Sequence, residues 1–281
     1  MIAVVVLYRC LPDDSTTINS LKRHAPQFAG RLKILVYDNS PESWNGVFEE
    51  GWSYLHDSSN GGIAAAYNAA LHLAAPSTDW LLLLDQDSSL PNDFLPELFT
   101  AIDDCEREPQ VAAVVPRVYS HGALISPSQV KLGHCVREYG FGIRPHEITA
   151  INSGSAIRVS VLTQMEGFNI AFWLDFLDYW LYHQIHALGY CVFVSRGKLE
   201  HSLSVQNYNG AVSDQRYRNI LHSEMLFTNT YRPKIERIYY AIRLFARCGK
   251  QTLRYKRKNI ALDTLIAALR QLRLIVTGVL P

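Results

Sequence analysis

Trp80-Leu81-Leu82-Leu83-Leu84-Asp85-Gln86-Asp87 joins an unbroken apolar run to two carboxylates placed one residue apart. The apolar half predicts a strand buried on both faces, as a parallel sheet requires. In extended backbone, residues i and i+2 point to the same side, so Asp85 and Asp87 leave the strand together. Two such carboxylates repel unless a cation or hydrogen-bond donors lie between them. A hard divalent ion takes oxygen ligands and also binds phosphate oxygens, bridging protein and nucleotide.

Further strands are expected at Ile2–Tyr8, Leu32–Tyr37, Trp52–Leu55 and Val111–Val115. Between them, helices are expected over Ser15–His24, from a cap at Asn60 to about Ala74, and from Asn92 onward. Ile18, Leu21 and Ala25 share one face of the first, and Phe94, Leu95, Leu98, Phe99 and Ile102 one face of the third. Strands alternating with helices predict an α/β fold, a mostly parallel sheet flanked by helices on both faces. In such sheets ligands sit beyond the carboxyl ends of the strands. Asp38-Asn39-Ser40, Asn60-Gly61-Gly62 and Asp85-Gln86-Asp87 all fall there. The second of these presents backbone N–H groups and a helix N-terminus to an anion. From 116 to about 150 the pattern weakens. A strand over Ile151–Ile157, a helix over Asp175–Leu188 and a strand over Tyr190–Val194 follow, and Tyr231-Arg232-Pro233 marks a boundary.

No G-x-G-x-x-G follows the first strand and no P-loop motif occurs, which disfavours a dinucleotide oxidoreductase or a P-loop NTPase. Five cysteines without a CxxC pair give no zinc site or disulfide framework, so a reducing, cytoplasmic compartment is expected. Ile2–Leu7 lacks the basic flank of a signal peptide, and nowhere do eighteen apolar residues run together. With 281 residues, 48% of them apolar, the chain can bury a sizeable core. Its net charge of +1 gives no reason to expect nucleic acid, but that average hides a split. Residues 1–231 carry 15 basic and 24 acidic side chains, for −9, whereas residues 232–281 carry 12 and 2, for +10. In the basic segment Ile235, Ile238, Tyr239, Ile242, Phe245 and Ala246 form one helical stripe. Leu262, Leu265, Ile266, Leu269, Leu272 and Val276 form another. Apolar stripes flanked by bases predict helices lying on an anionic membrane surface. The competing expectation is that this segment packs on the body or on a second chain in an oligomer.

Taken in order, Val4–Tyr8, Val36-Tyr37-Asp38-Asn39-Ser40, the run from Asn60-Gly61-Gly62 to Tyr67-Asn68, and Leu84-Asp85-Gln86-Asp87 resemble family 2 glycosyltransferases of the GT-A (Rossmann-like) fold. Ser153-Gly154-Ser155, Gly167-Phe168-Asn169, Phe172-Trp173-Leu174-Asp175-Phe176-Leu177-Asp178 and Leu199-Glu200-His201-Ser202-Leu203 resemble its rhamnosyltransferase branch. The resemblance implies a nucleotide-sugar-binding half over 1–115, an acceptor-binding and catalytic half over 116–231, and a basic helical extension over 232–281. It implies a donor site containing Tyr8, Arg9, Asp38, Gly62, Asn68, Asp85 and Gln86, with Asp38 on the nucleobase. Mg²⁺ or Mn²⁺ would be held by Asp87, with Asp85 and His201 close to it. Asp178 matches the catalytic base and Asp175 stands three residues before it. The implied donor is a nucleotide-diphosphate sugar, dTDP-L-rhamnose foremost, and the implied acceptor a glycan on a lipid carrier at the inner face of a bacterial membrane. Gly-Phe-Asn replaces the usual Gly-Phe-Asp, and Ala70 stands where a glycine is common.

The chemistry suits these residues. Inverting transfer needs one carboxylate to take a proton from the attacking hydroxyl, and a cation to neutralise the departing diphosphate. On a helix, Asp175 and Asp178 would project from one side, each raising the other's pKa. Two other readings stand beside this one. A sugar-1-phosphate nucleotidyltransferase shares the core but needs a Gly-rich loop where Arg9-Cys10-Leu11-Pro12-Asp13 occurs. A non-enzymatic protein binding through the basic tail leaves Asp85, Asp87 and Asp178 without a role. His183 and His186 are expected at the surface or in the core, and Arg216, Arg218 and Asn219 stand near phosphate or on a solvated face.

Overall fold

The computed structural model describes residues 1–74, 78–131, 134–201, 213–254 and 257–277, the side chain of His201 excepted. The strands are β1 (Ile2–Leu7), β2 (Lys33–Asp38), β3 (Trp52–His56), β4 (Trp80–Asp85), β5 (Ser88–Ser89), β6 (Val111–Ser120), β7 (Ala123–Ser126), β8 (Ser128–Lys131), β9 (His134–Arg137), β10 (Gly142–Arg144), β11 (Ile148–Thr149), β12 (Ser155–Arg158) and β13 (Cys191–His201). The helices are α1 (Thr16–His24), α2 (Gly62–Ala74), α3 (Phe94–Asp104), α4 (Val159–Gln164), α5 (Leu177–Ala187), α6 (Asp214–Tyr231), α7 (Lys234–Arg254) and α8 (Lys258–Thr277).

The main sheet runs β10-β13-β6-β12-β4-β1-β2-β3, with β5 added to β13 and β7 to β6. β1 pairs in parallel with both β2 and β4, and all six of its residues are buried. That double burial is why the strand consists of Ile, Ala, Val and Leu alone; each large side chain removed from water contributes about 1.5–3 kcal/mol. The predicted apolar faces of α1 and α3 are buried in this core. β12 runs antiparallel between β4 and β6, so the sheet is mixed at its centre.

Two strands outrun their sequence signals. β6 continues through Pro116 to Ser120, and β13 continues past Val194 to His201. Their parallel pairing passes from Val115↔Val194 to Arg117↔Lys198 through a register shift. The missing N–H of Pro116 falls at that irregularity, where no ladder bond needs it. Other boundaries are corrected as well. The helix expected from Asp175 begins at Leu177, because Phe176 takes a left-handed conformation (φ 66°). The strand expected over Ile151–Ile157 is Ser155–Arg158.

The chain divides into two compact units, Met1–Val130 with Cys135–Ser202, and Lys131–His134 with Leu203–Pro281. The boundary expected at 231–233 therefore falls earlier, ahead of α6. Tyr217 and Leu221 of α6 share a core with Tyr240, Leu244, Ile260, Ala267 and Ala268. Arg247 grips Glu224 through two hydrogen bonds of 2.7 and 2.8 Å, and Arg257 pairs with Asp214. Arg232-Pro233 is thus a turn inside the helical unit, and Arg216, Arg218 and Asn219 lie on α6 within it.

Candidate active site

At the end of β4, Asp85 is half-buried and Asp87 exposed. The loop they share is held from beneath by hydroxyl groups. The Asp85 N–H donates to Ser153 Oγ at 2.9 Å, and that hydroxyl also meets Ser88 Oγ at 2.7 Å. Thr17 Oγ1 accepts from the Ser88 N–H at 2.9 Å and lies within donating reach of the Asp85 and Ser88 carbonyls. Ser15 Oγ donates to the Gln86 carbonyl at 2.7 Å. The N-terminus of α1 therefore fixes where the carboxylates point. Thr17 and Ser88 carry no expectation from the sequence, and Ser15 and Ser153 stand in it only as a helix start and part of a motif; the signal for this role was their polarity at buried positions beside a carboxylate pair.

Gln86, expected at the donor site, holds the neighbouring loop through its amide oxygen. Its Oε1 accepts from the Tyr8 N–H at 2.8 Å, pinning the loop after β1. Arg9 follows with φ 50°, a strained conformation for a residue with a side chain, and its N–H donates to Ser40 Oγ at 2.8 Å. Beside this loop lies a cavity of about 390 Å³ lined by Arg9, Leu11, Asp38, Ser40 and Trp44, among others. Asp38 is buried there, accepting from the Ser40 N–H at 2.9 Å and the Tyr54 hydroxyl at 2.7 Å. Each carboxylate oxygen keeps a further lone pair for a ligand. Burial, with the Asp38 carboxylate adding to it, pushes the Tyr54 hydroxyl up to about 12.

The glycine turn differs from expectation. Asn60 does not cap α2, which begins at Gly62. The N–H groups of Ile63 and Ala64 donate to the carbonyl of Trp173, at 2.8 and 3.4 Å. That carbonyl occupies two of the N–H groups foreseen for an anion, and Gly62 lets the chain cross there. Gly62 has φ +79°, and a Cβ there would stand 2.2 Å from the Trp173 oxygen. Asn68 is likewise reassigned. Its side chain donates to the Phe168 carbonyl at 2.9 Å and accepts from the Phe168 N–H at 2.7 Å, so both ends of the amide are engaged.

Those two clamps carry the chain into α5. Asp178 sits in its first turn and accepts the Tyr179 N–H at 2.9 Å. Burial pushes the Asp178 carboxyl up to about 7; the Tyr179 N–H opposes this, and the charges of Asp175 and then Asp85 add to it. Asp175 precedes the helix, so the two carboxylates are coupled through space and not through helical spacing. Tyr67 is fully buried and feels both Asp85 and Asp178. Its hydroxyl has no hydrogen-bond partner among the described residues. The end of β4, α2 and the start of α5 thus meet at one place. Of the aromatic residues near Asp178, Phe172 and Trp180 belong to the core, while Phe176 and Tyr179 stack on each other with ring centroids 4.8 Å apart.

The side chain of His201 lies outside the described residues. Its backbone pairs with Ser88, and Glu200 with Ser89, which brings the end of β13 beside the Asp85–Asp87 loop. Among the described residues no group of three His, Cys, Asp or Glu side chains is placed to hold a metal ion. His183 stands 3.3 Å from Glu147, away from such a role.

A family model described as glycosyl transferase family 2 matches residues 3–164. No curated protein matches the chain in sequence. Among solved structures, S. aureus TarS 1–349 aligns with a TM-score of 0.55 at 14% identity, over 98% of this chain and 80% of that one. The same protein in complex with UDP-GlcNAc gives 0.57 at 15% identity, over 98% and 81%. S. aureus TarS itself gives 0.57 at 13% identity over 99% of this chain, which spans 49% of that one. At these identities the likeness is one of fold, a mostly parallel sheet flanked by helices.

Proposed function

Because the chain belongs to glycosyl transferase family 2, we propose that it transfers L-rhamnose from dTDP-L-rhamnose to a hydroxyl of a lipid-linked bacterial surface glycan, with inversion. The observation that carries this reading is the placement of Asp178 in the first turn of α5, where burial and then the charges of Asp175 and Asp85 push its carboxyl up to about 7, as suits a general base. Asp178 takes the acceptor hydroxyl's proton as that oxygen bonds to the anomeric carbon. The bond from that carbon to the diphosphate oxygen breaks, and its electrons leave with the nucleotide.

Asp85 and Asp87 offer hard oxygen ligands, and two carboxylates completed by substrate phosphates are a usual provision for Mg²⁺. Bound there, Mg²⁺ or Mn²⁺ would neutralise the charge of the departing diphosphate. The cavity floored by Asp38 and edged by Arg9 and Trp44 takes the nucleobase, and the Phe176–Tyr179 pair offers an aromatic face to a sugar ring. TarS was solved with UDP and with UDP-GlcNAc; its pyrimidine base is the class that dTDP also carries. A lipid-linked acceptor puts the work at the inner face of the bacterial membrane.

Release of nucleoside diphosphate from a panel of nucleotide sugars, with and without Mn²⁺, tests this. dTDP-L-rhamnose should be turned over fastest. Turnover of UDP-GlcNAc alone would reassign the donor, and full activity in EDTA would remove the metal.

A further inference from the structure

The helical unit buries polar side chains and exposes apolar ones. Inside it, Gln251 Nε2 donates to the Tyr217 hydroxyl, Thr264 Oγ1 donates to Gln251 Oε1, and Tyr217 meets Thr264, each at 2.7 Å. Asn229 and Gln271 exchange two amide hydrogen bonds of 2.8 and 2.9 Å. The core face of α7 is Tyr240, Ala241, Leu244 and Gln251. Its opposite face carries Ile235, Ile238, Tyr239, Ile242 and Phe245, all exposed, with Ile242 at 59%. A stripe of this size left in water marks an interaction surface.

Charge identifies the occupant. Lys234, Arg243, Lys250 and Arg254 are exposed along the same helix. The single acid of α7, Glu236, is half-buried and stands 3.8 Å from Arg232. α8 adds exposed Lys258, Arg270 and Arg273 and has Asp263 as its one acid. A second copy docking through this face would set cation against cation, with no exposed carboxylate on either helix to answer. No helix among the described residues is long and apolar enough to cross a membrane. We infer that the exposed face of α7 docks on an anionic lipid surface, its apolar stripe entering the acyl boundary while the flanking bases meet the headgroups. This inference does not depend on the identity of the donor sugar.

Flotation of the full chain with vesicles of phosphatidylcholine, alone or mixed with phosphatidylglycerol, tests it. Binding should require phosphatidylglycerol and weaken in high salt. Ile242→Glu should abolish it, and Arg243→Gln with Lys250→Gln should lower the partition roughly thirtyfold, at about 1 kcal/mol per base. These positions are exposed, so circular dichroism should show unchanged helix content. Equal binding by wild type and Ile242→Glu would overturn the inference. So would a lipid-free dimer, seen by light scattering, that Ile242→Glu dissociates. Turnover of donor with a soluble acceptor is measured on the same samples, so loss of vesicle binding and failure of the transferase reading are told apart.

Discussion

The side chain of Asn68 on α2 holds both backbone groups of Phe168, one hundred residues away, through hydrogen bonds of 2.9 and 2.7 Å. With the Trp173 carbonyl on Ile63 and Ala64, it fastens the segment that delivers Asp178. Asn68→Ala leaves a partly buried N–H and C=O without partners. It should cost about 2–4 kcal/mol, read by denaturant titration. Asn68→Asp keeps the acceptor but loses the donor, and should fall between.

Gly62 permits the Trp173 crossing, since a Cβ would stand 2.2 Å from a backbone oxygen and φ is +79°. Gly62→Ala is expected to lower Tm and to cut turnover together, because the displaced segment leads directly to α5. Gly30, also at positive φ but with open space around it, supplies the control: Gly30→Ala should lower stability without touching turnover.

Thr17 anchors the Asp85–Asp87 loop from α1 through the Ser88 N–H and the adjoining carbonyls. Thr17→Val keeps the shape and removes the hydroxyl. Stability should drop by about 1–3 kcal/mol, and a higher Mn²⁺ concentration should be needed for half-maximal activity. An unchanged Mn²⁺ titration would detach this hydroxyl from metal binding.

Much of this was legible in the sequence, and the gaps have physical causes. β1, β2, β4 and the buried faces of α1 and α3 follow from apolar runs and periodicity that tertiary contacts reinforce. The continuation of β13 was hidden because Ser195-Arg196-Gly197-Lys198 reads as a strand end; the register shift absorbs Ser195, Arg196 and Gly197, and pairing resumes at Lys198. The start of α5 was hidden because nothing about phenylalanine announces a left-handed Phe176. Asn68 and Gly62 stood in a recognisable pattern, yet their roles depend on Phe168 and Trp173, a hundred or more residues distant. α6 went unread although Ser213 caps it by accepting the Arg216 N–H at 3.1 Å, because its buried face is largely polar.

Asp178 links activity and stability to pH in opposite senses. Its carboxyl titrates near 3.8 in the unfolded chain and about 7 in the folded one. Between those values the native state keeps a proton that the unfolded state has lost, so stability falls as pH rises through this window. Activity should rise with pH through about 7, as the base ionises. Asp178→Asn should therefore raise Tm at pH 8 and change it little at pH 4, measured by calorimetric scanning.

The assignment of Asp178 as base, separate from donor binding, is tested most directly by one pairing on Asp178→Asn: calorimetric titration with dTDP-L-rhamnose beside steady-state turnover. Donor affinity should stay near wild type while kcat falls about 10²–10⁴-fold. Loss of donor binding would move Asp178 into the nucleotide-sugar site, and undiminished turnover would contradict its place in the reaction.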